Sequence, residues 1–148
     1  MTNEAFAAFY RAEFDGQVRW AWLMLGSAER AHDVVQDSFA AVYQRFDDIA
    51  EPGPYLNRVV LNGCRAEGRR SSRETIVELD PDPIPFEGEA VEMAELLLTL
   101  PFVPRAAIVL KFYEGLTEAE IADLLGLRPG SVGPAVTRGL RKLRGVLS

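Results

Sequence analysis

The side chains best suited to chemistry in this sequence are a hydroxyl and several cations near the C-terminus. Their spacing would let one helix present them together, and they are Thr137, Arg138, Arg141, Lys142 and Arg144. Guanidinium and ammonium groups bind phosphates and guanine edges, and hydroxyl groups bond to either phosphates or bases. This set therefore predicts recognition of a nucleic acid by contact, and not the making or breaking of bonds.

Two short helices joined by a tight turn would be needed to hold these side chains. Thr117 and Glu120 have the spacing of a capping box, which predicts the start of the first helix. Gly126 stands where a left-handed residue would end that helix, and Pro129-Gly130 predicts the turn. Ser131 is a candidate cap for the second helix. The buried face of the second helix would consist of Val132, Val136, Leu140 and Leu143. This pattern is typical of a helix-turn-helix, whose second helix enters the DNA major groove.

The distribution of charge reconciles this prediction with an acidic chain. The 148 residues carry a net charge of −6, which is unusual for a protein that binds DNA. Residues 71–100 hold one basic and eight acidic residues, whereas residues 101–148 hold seven basic and four acidic residues. The acidity is thus concentrated in the middle of the chain, and the helix-turn-helix end is basic.

Other classes of site are excluded by the rarity of their ligands. Cys64 is the only cysteine and His32 the only histidine, so an internal disulfide and a zinc site of the usual Cys/His kind are both impossible. His32 and Asp33 are neighbours that a helix would point in different directions, which argues against a nucleophile triad. We therefore expect no enzymatic activity and no cofactor. With neither a membrane-spanning run nor a secretory signal, the expected location is the cytoplasm.

A proline-rich acidic segment divides the chain into two parts. Pro81, Pro83 and Pro85 alternate within it, which prevents a helix and favours an extended chain. Both flanking parts have helical periodicity, and neither alternates as a strand would. The predicted fold is all-α, with a helical domain over residues 1–70, an acidic linker over 71–92 and a second helical domain over 93–148.

The first domain contains one strongly amphipathic helix and one helix with a polar stripe. The buried side of the amphipathic helix would consist of Ala31, Val34, Val35, Ser38, Phe39, Val42, Tyr43 and Phe46. The stripe consists of Arg58, Asn62, Arg65 and Arg69, which fall on one face of the helix that follows the Asp47–Gly53 loop. Cys64 lies on the opposite, apolar face and is expected in the core. The helix before the amphipathic one, which ends near Gly26, has three large apolar residues off its main buried face. They are either core or an exposed docking patch, and they are Trp20, Leu23 and Met24.

Two motifs resemble a known family. The segment AHDVVQDSF over residues 31–39, followed by FYEGLTEAEIA over 112–122, is similar to the extracytoplasmic-function (ECF) sigma factors of the sigma-70 family. The resemblance covers nearly the whole chain and implies a −10-binding domain and a −35-binding domain joined by a linker. It also implies core RNA polymerase and promoter DNA as partners, with an anti-sigma factor as a regulator.

The resemblance assigns roles to individual residues. It implies that the first domain docks on polymerase through Asp33, Gln36 and Asp37. It implies that the next helix reads the −10 element through Arg58, Asn62, Arg65, Arg69 and Arg70, with help from the Asp47–Gly53 loop. From spacing alone, both sets could instead be solvated helix faces, although asparagine is a poor interior helix residue and a good reader of base edges.

The recognition helix departs from the family pattern at its start. Gly133, Pro134 and Ala135 have no side-chain donor, where the family often has a cation and a small polar residue. Readout of the −35 element would then rest on Thr137, Arg138 and Arg141, with Ser131 and the first amides of the helix available to hold a phosphate.

Two alternative functions follow from these residues. One is a stand-alone helix-turn-helix regulator whose N-terminal helices dimerise or sense a ligand. The other is a sigma-like co-regulator that docks on polymerase and reads −35 DNA weakly, as the Gly133–Ala135 start would suggest.

Overall fold

Seven α-helices and one 3-10 helix form the regular structure of residues 3–71 and 89–147, the part of the chain that this computed structural model describes. No strand occurs within those two ranges, so the predicted all-α fold is confirmed. The chain divides into two compact units, Met1–Pro85 and Phe86–Ser148. Most of the predicted 71–92 linker lies outside the described residues, and the predicted domain boundaries stay predictions.

The first unit is a three-helix arrangement. Helix α1 spans Asn3–Leu25, α2 spans Ala28–Arg45 and α3 spans Pro52–Ser71, with a 3-10 helix at Phe46–Asp48. Gly26 has φ of 73°, and the Ser27 hydroxyl accepts a hydrogen bond from the Arg30 amide at 3.2 Å. This break and recapping let α2 turn back along α1.

The last turns of α1 are buried on all sides. Trp20, Leu23 and Met24 are each at most 1% exposed. Helix α1 packs against both α2 and α3, so its two flanks are both covered. These three residues are therefore core, and the exposed docking patch that the sequence left open does not exist at this position.

The connection between α2 and α3 is shorter than predicted. The sequence predicts a loop over Asp47–Gly53, but Phe46–Asp48 forms a 3-10 turn and α3 already begins at Pro52. Proline is favoured in the first turn of a helix because the amide it lacks would have no partner there. Only residues 49–51 lie outside the helices, and the side chain of Phe46 is 9% exposed at the edge of the core.

A buried polar contact joins α1 to α3. Gln17 is 3% exposed, and its Oε1 accepts a hydrogen bond from the Trp20 indole at 2.8 Å. Its Nε2 donates to Asn57 Oδ1 at 2.9 Å. Because a buried polar group without a partner is costly, the bond within α1 orients the Gln17 amide and the bond to Asn57 ties α3 to α1.

Gly63 allows α3 to approach α2 closely, and this predicts a contrast between two glycines of one helix. A Cβ on Gly63 would lie 2.7 Å from Val34 Cγ1, whereas a Cβ on Gly68 would meet nothing within 4 Å. Valine cannot rotate away easily because it is branched at Cβ. We expect Gly63→Ala to lower the free energy of unfolding by about 1–2 kcal/mol. Gly68→Ala should raise it by up to about 1 kcal/mol.

Urea unfolding followed by tryptophan emission measures this contrast in the first unit alone, because Trp20 and Trp22 are the only two tryptophans of the chain. Equal effects of the two substitutions would contradict the close approach of α3 to α2.

The second unit consists of four shorter helices. They are α4 at Glu89–Leu97, α5 at Phe102–Phe112, α6 at Glu118–Leu125 and α7 at Val132–Leu147. Helix α7 packs mainly on α5 and also contacts α4 and α6. A Cβ on Gly139 would lie 2.7 Å from Ile108 Cδ1 and 3.4 Å from Pro104 Cβ, so a larger residue where α7 crosses α5 would require the Ile108 side chain to shift.

The predicted capping box at the start of α6 is confirmed. The Thr117 hydroxyl accepts from the Glu120 amide at 3.1 Å, and the Glu120 carboxylate accepts from the Thr117 amide at 3.0 Å. Hydrogen bonds from the backbone and side chain of Thr117 hold the pKa of Glu120 below its ordinary value. The contribution of this carboxylate is therefore lost only as the pH falls through the lowered pKa.

Candidate promoter and polymerase interfaces

The polar stripe predicted on α3 lies on the surface of the first unit. Arg58, Asn62 and Arg69 are exposed, and Arg65 is half-buried. The opposite face is fully packed, with Leu56, Val60, Leu61 and Cys64 at most 1% exposed. The tight packing of one face leaves the arginine-rich face turned outward along more than three helical turns, which suits the tracking of a nucleic-acid strand.

Arg70, one of the predicted −10 contacts, forms an ion pair with a carboxylate of its own helix. Its Nη2 lies 3.0 Å from Glu67 Oε2, which also lies 4.0 Å from Nε of Arg30 on α2. An exposed ion pair of this kind contributes little to stability, but it competes with a phosphate for the guanidinium group. Arg70 would have to exchange Glu67 for a phosphate in order to bind DNA.

The start of α3 is fixed by contacts that sequence patterns did not reveal. The Arg45 guanidinium carbon lies 5.9 Å from the centre of the Tyr55 ring, which ties the end of α2 to the first turns of α3. Asn57, which accepts the hydrogen bond from Gln17, directly precedes Arg58. These contacts position the N-terminal part of the stripe, and no helical periodicity could have indicated them.

The predicted polymerase contacts share the outer face of α2. Asp33, Gln36 and Asp37 are all exposed. Gln36 Nε2 donates to the Tyr10 hydroxyl at 3.0 Å, so this amide is already oriented by α1. The Tyr10 ring in turn packs on Phe39 with ring centres 4.7 Å apart. The three polar side chains thus share the exposed face of α2, and Gln36 is tied through Tyr10 to the aromatic side chains beneath.

The predicted readers of the −35 element lie on the exposed face of α7. Thr137, Arg138 and Arg141 are exposed, and Ser131 is half-buried. The Ser131 carbonyl accepts from the Ala135 amide at 3.1 Å, which places this serine at the cap position. The inner face is formed by Val132, Ala135, Val136 and Leu143, each at most 5% exposed. Leu140, predicted on that face, is 37% exposed, because the glycine beside it carries the close contact with α5.

The start of α7 contains a group that the sequence did not point to. Ala135 is 1% exposed, so of the three residues without a side-chain donor only Gly133 and Pro134 reach the surface. A Cβ on Gly133 would lie 3.0 Å from Glu118 Oε1. The other carboxylate oxygen of Glu118 lies 3.6 Å from Lys111 Nζ. A carboxylate from α6 therefore stands where the recognition helix has no side chain of its own.

The described residues contain no group of three His, Cys, Asp or Glu side chains that could hold a metal ion. Cys64 is 0% exposed, and burial is the main factor that raises the pKa of its thiol far above the ordinary value. The thiol therefore stays protonated and belongs to the core, as predicted. No helix in the two described ranges combines the length and the hydropathy needed to cross a bilayer.

Comparison with known families matches both units. Residues 9–74 match the model of sigma-70 region 2, and residues 90–143 match the model of sigma-70 region 4. The chain belongs to the sigma-70 family. The arginine stripe on α3 lies within region 2, and the helix-turn-helix lies within region 4.

Curated relatives place the chain in the ECF group of the sigma-70 family. The ECF RNA polymerase sigma factor SigE of Mycolicibacterium smegmatis is 30% identical over 93% of this chain. The sigma-E factor of Streptomyces avermitilis is 27% identical over 94% of this chain, and SigM of Mycobacterium tuberculosis is 29% identical over 97%. The matched regions span 60%, 83% and 77% of these three relatives, respectively.

Two solved structures share the fold. CnrH in complex with the cytosolic domain of CnrY is 26% identical, with a TM-score of 0.74 over 99% of this chain and 89% of that chain. RpoE from Bartonella quintana, in complex with the anti-sigma factor NepR, has a TM-score of 0.80 over 97% of both chains at 18% identity. The second likeness supports the fold alone.

Proposed function

We propose that this chain binds core RNA polymerase, recognises −10 and −35 promoter elements and promotes transcription initiation. The observation that carries the proposal is the pair of exposed cationic helix faces, one in each sigma-70 region. In region 2 the face belongs to α3, and in region 4 it belongs to the second helix of a helix-turn-helix. Such a protein acts as an initiation factor and not as an enzyme, and the presence of polymerase makes the cytoplasm its place of action.

Within region 2, α3 is proposed to hold the −10 element. Arginine side chains along the stripe would follow the phosphates, and Asn62 can both donate to and accept from a base edge. The exposed residues 50 and 51, beside the first turn of α3, would border the same strand. The proposed contacts are Arg58, Asn62, Arg65, Arg69 and Arg70.

The outer face of α2 is proposed to dock on core polymerase. Asp33 and Asp37 are exposed carboxylates four residues apart, so they project from the same side of the helix. The hydrogen bond from Gln36 to Tyr10 keeps the intervening amide in one orientation. An exposed acidic face of this kind would complement a basic surface on a partner.

A protein inhibitor is also proposed as a partner. The CnrH structure, which covers 99% of this chain, was solved with the cytosolic domain of another protein bound. We propose that an anti-sigma factor binds this chain in the same manner and withholds it from polymerase.

The −35 assignment makes a separate prediction for α7. Arg138→Ala and Arg141→Ala should each weaken binding of the holoenzyme to a −35 duplex by roughly 1–3 kcal/mol if the arginine reads a base. The loss should be largest for probes that carry the preferred base at one position. Fluorescence anisotropy with single-substituted probes measures it.

Arg11→Ala is the matched control for charge, since Arg11 is an exposed arginine of the first unit. If the α7 variants lost no more affinity for the −35 duplex than Arg11→Ala, the DNA contact would not lie on α7.

The polymerase-docking co-regulator remains the second candidate, because the start of α7 offers DNA a carboxylate where the family often has a cation. In that case the two α7 variants would change nothing, and the holoenzyme would bind −10 probes only.

A further inference from the structure

The carboxylate at the start of α7 is placed by tertiary structure. Glu118 is the first residue of α6, whereas Gly133 is the second residue of α7. The 3.0 Å separation between Glu118 Oε1 and the Cβ position of Gly133 leaves no room for a side chain there without movement of the carboxylate. The Glu118 carboxylate thus occupies the space beside Gly133 and supplies the polar group at this part of the surface.

This carboxylate extends a row of proposed DNA contacts. Gly133, Thr137 and Arg141 are spaced by four residues, so they lie one above another on successive turns of α7. Thr137 and Arg141 are exposed. Glu118 therefore stands at the N-terminal head of the row, and that end of a recognition helix is the part that contacts base edges.

The two carboxylate oxygens of Glu118 have different neighbours. Lys111 Nζ approaches Oε2 at 3.6 Å, while Oε1 is the atom beside Gly133. The side chains of Lys111 and Glu118 are 35% and 51% exposed, so DNA can reach the pair. A carboxylate repels phosphates and only accepts hydrogen bonds, and the amino group of cytosine is the base donor that acidic side chains read.

We propose that Glu118 is a specificity-determining residue of the −35 interface. Its Oε1 accepts a hydrogen bond from the N4 amino group of a cytosine at the base pair that faces the start of α7. The inference rests on the proposed function, because it needs α7 to lie in the major groove. Through Glu118, the start of α7 would recognise one base although Gly133 and Pro134 have no polar side chain of their own.

Binding of the holoenzyme, formed from the full chain and core polymerase, to −35 duplexes substituted at one position at a time tests the proposal. The natural chain should prefer cytosine at one position by about fivefold or more, the lower end of base discrimination. Glu118→Ala should remove that preference and leave the other positions unchanged. Glu118→Gln should move it towards adenine, which glutamine reads. Asp123→Asn, which removes another exposed carboxylate of α6, should leave the preference intact.

A uniform gain of affinity on every probe in Glu118→Ala would mean that the carboxylate only repels phosphate, and this would overturn the proposal. An unchanged base preference would overturn it as well. Glu118→Gln keeps the shape of the side chain, so it excludes misfolding as the cause of a change. Failure of the −35 role itself looks different: the natural chain would then bind all −35 probes alike, and Arg141→Ala would have no effect.

Discussion

Replacing Arg58 and Arg65 together by alanine should slow promoter opening by roughly tenfold to a hundredfold, because each arginine is proposed to contact the −10 strand. Binding to core polymerase should stay within about twofold of the natural chain, since the proposed docking face is on a different helix. The salt dependence of opening should also weaken by roughly 0.7 per lost phosphate contact on a single strand. Fluorescence from a −10 base analogue follows opening, and anisotropy of labelled chain follows polymerase binding.

Arg11→Ala removes an exposed arginine of α1 and should leave promoter opening nearly unchanged. The converse separation should be seen when Asp33 and Asp37 are replaced by asparagine, which should weaken polymerase binding first. An equal loss of opening and of polymerase binding in the Arg58 and Arg65 variant would contradict the division of labour between α2 and α3.

Trp22→Ala should lower the free energy of unfolding of the first unit by about 3–5 kcal/mol, the range for truncating a buried large aromatic residue. Trp22 is 0% exposed in α1, which packs between α2 and α3. Emission from Trp20 remains as the reporter of urea unfolding in this variant. A loss of this size would also release α3 from its support, so promoter opening should fail at temperatures where region 4 stays folded.

Tyr43→Ala is the matched control for an aromatic residue that is 50% exposed. Its ring makes an edge contact with Phe6 at a centre distance of 4.8 Å, and its hydroxyl donates to Asn3. The expected loss is about 1 kcal/mol, typical of one aromatic pair. If both substitutions cost the same, the core of the first unit would not lie where the structure places it.

Local signals explain why much of the fold could be predicted. The Thr117–Glu120 capping box and the left-handed Gly126, which has φ of 67°, are both determined by side chains within a few residues. The buried stripe of α2 follows from helical spacing alone, apart from Tyr43. These interactions join residues that are close in the sequence, so residue patterns and helix propensities are sufficient to predict them.

Residues that depend on a neighbouring helix could not be predicted in the same way. Helical spacing identifies one buried face, but α1 is covered by two helices, so Trp20 and Leu23 are buried as well. Gly63 resembles a weak helix residue until the structure shows that a Cβ at this position would lie 2.7 Å from Val34 Cγ1. For the same reason, sequence patterns do not single out Glu118, an acidic residue in the first turn of α6. Its relation to Gly133, fifteen residues later, exists only in three dimensions.

For the candidate sites as well, the sequence indicated the residues but not their contacts with other side chains. The residue types and spacings of the α3 stripe and the α7 face were visible in the sequence, and the structure places most of them on exposed surfaces. The sequence did not show that Glu67 holds Arg70 or that Tyr10 orients Gln36. Arg70 would have to exchange this partner on binding, and ordering lost in such an exchange lowers the net gain.

Reconstituted transcription tests the central claim most directly. The full chain would be combined with core polymerase and a library of genomic fragments, and the 5′ ends of the transcripts would be sequenced. The proposed function predicts transcripts that start at discrete sites with shared −10 and −35 sequences and that disappear with the Arg58 and Arg65 double variant. A chain that binds core polymerase but gives no promoter-dependent transcript would contradict it.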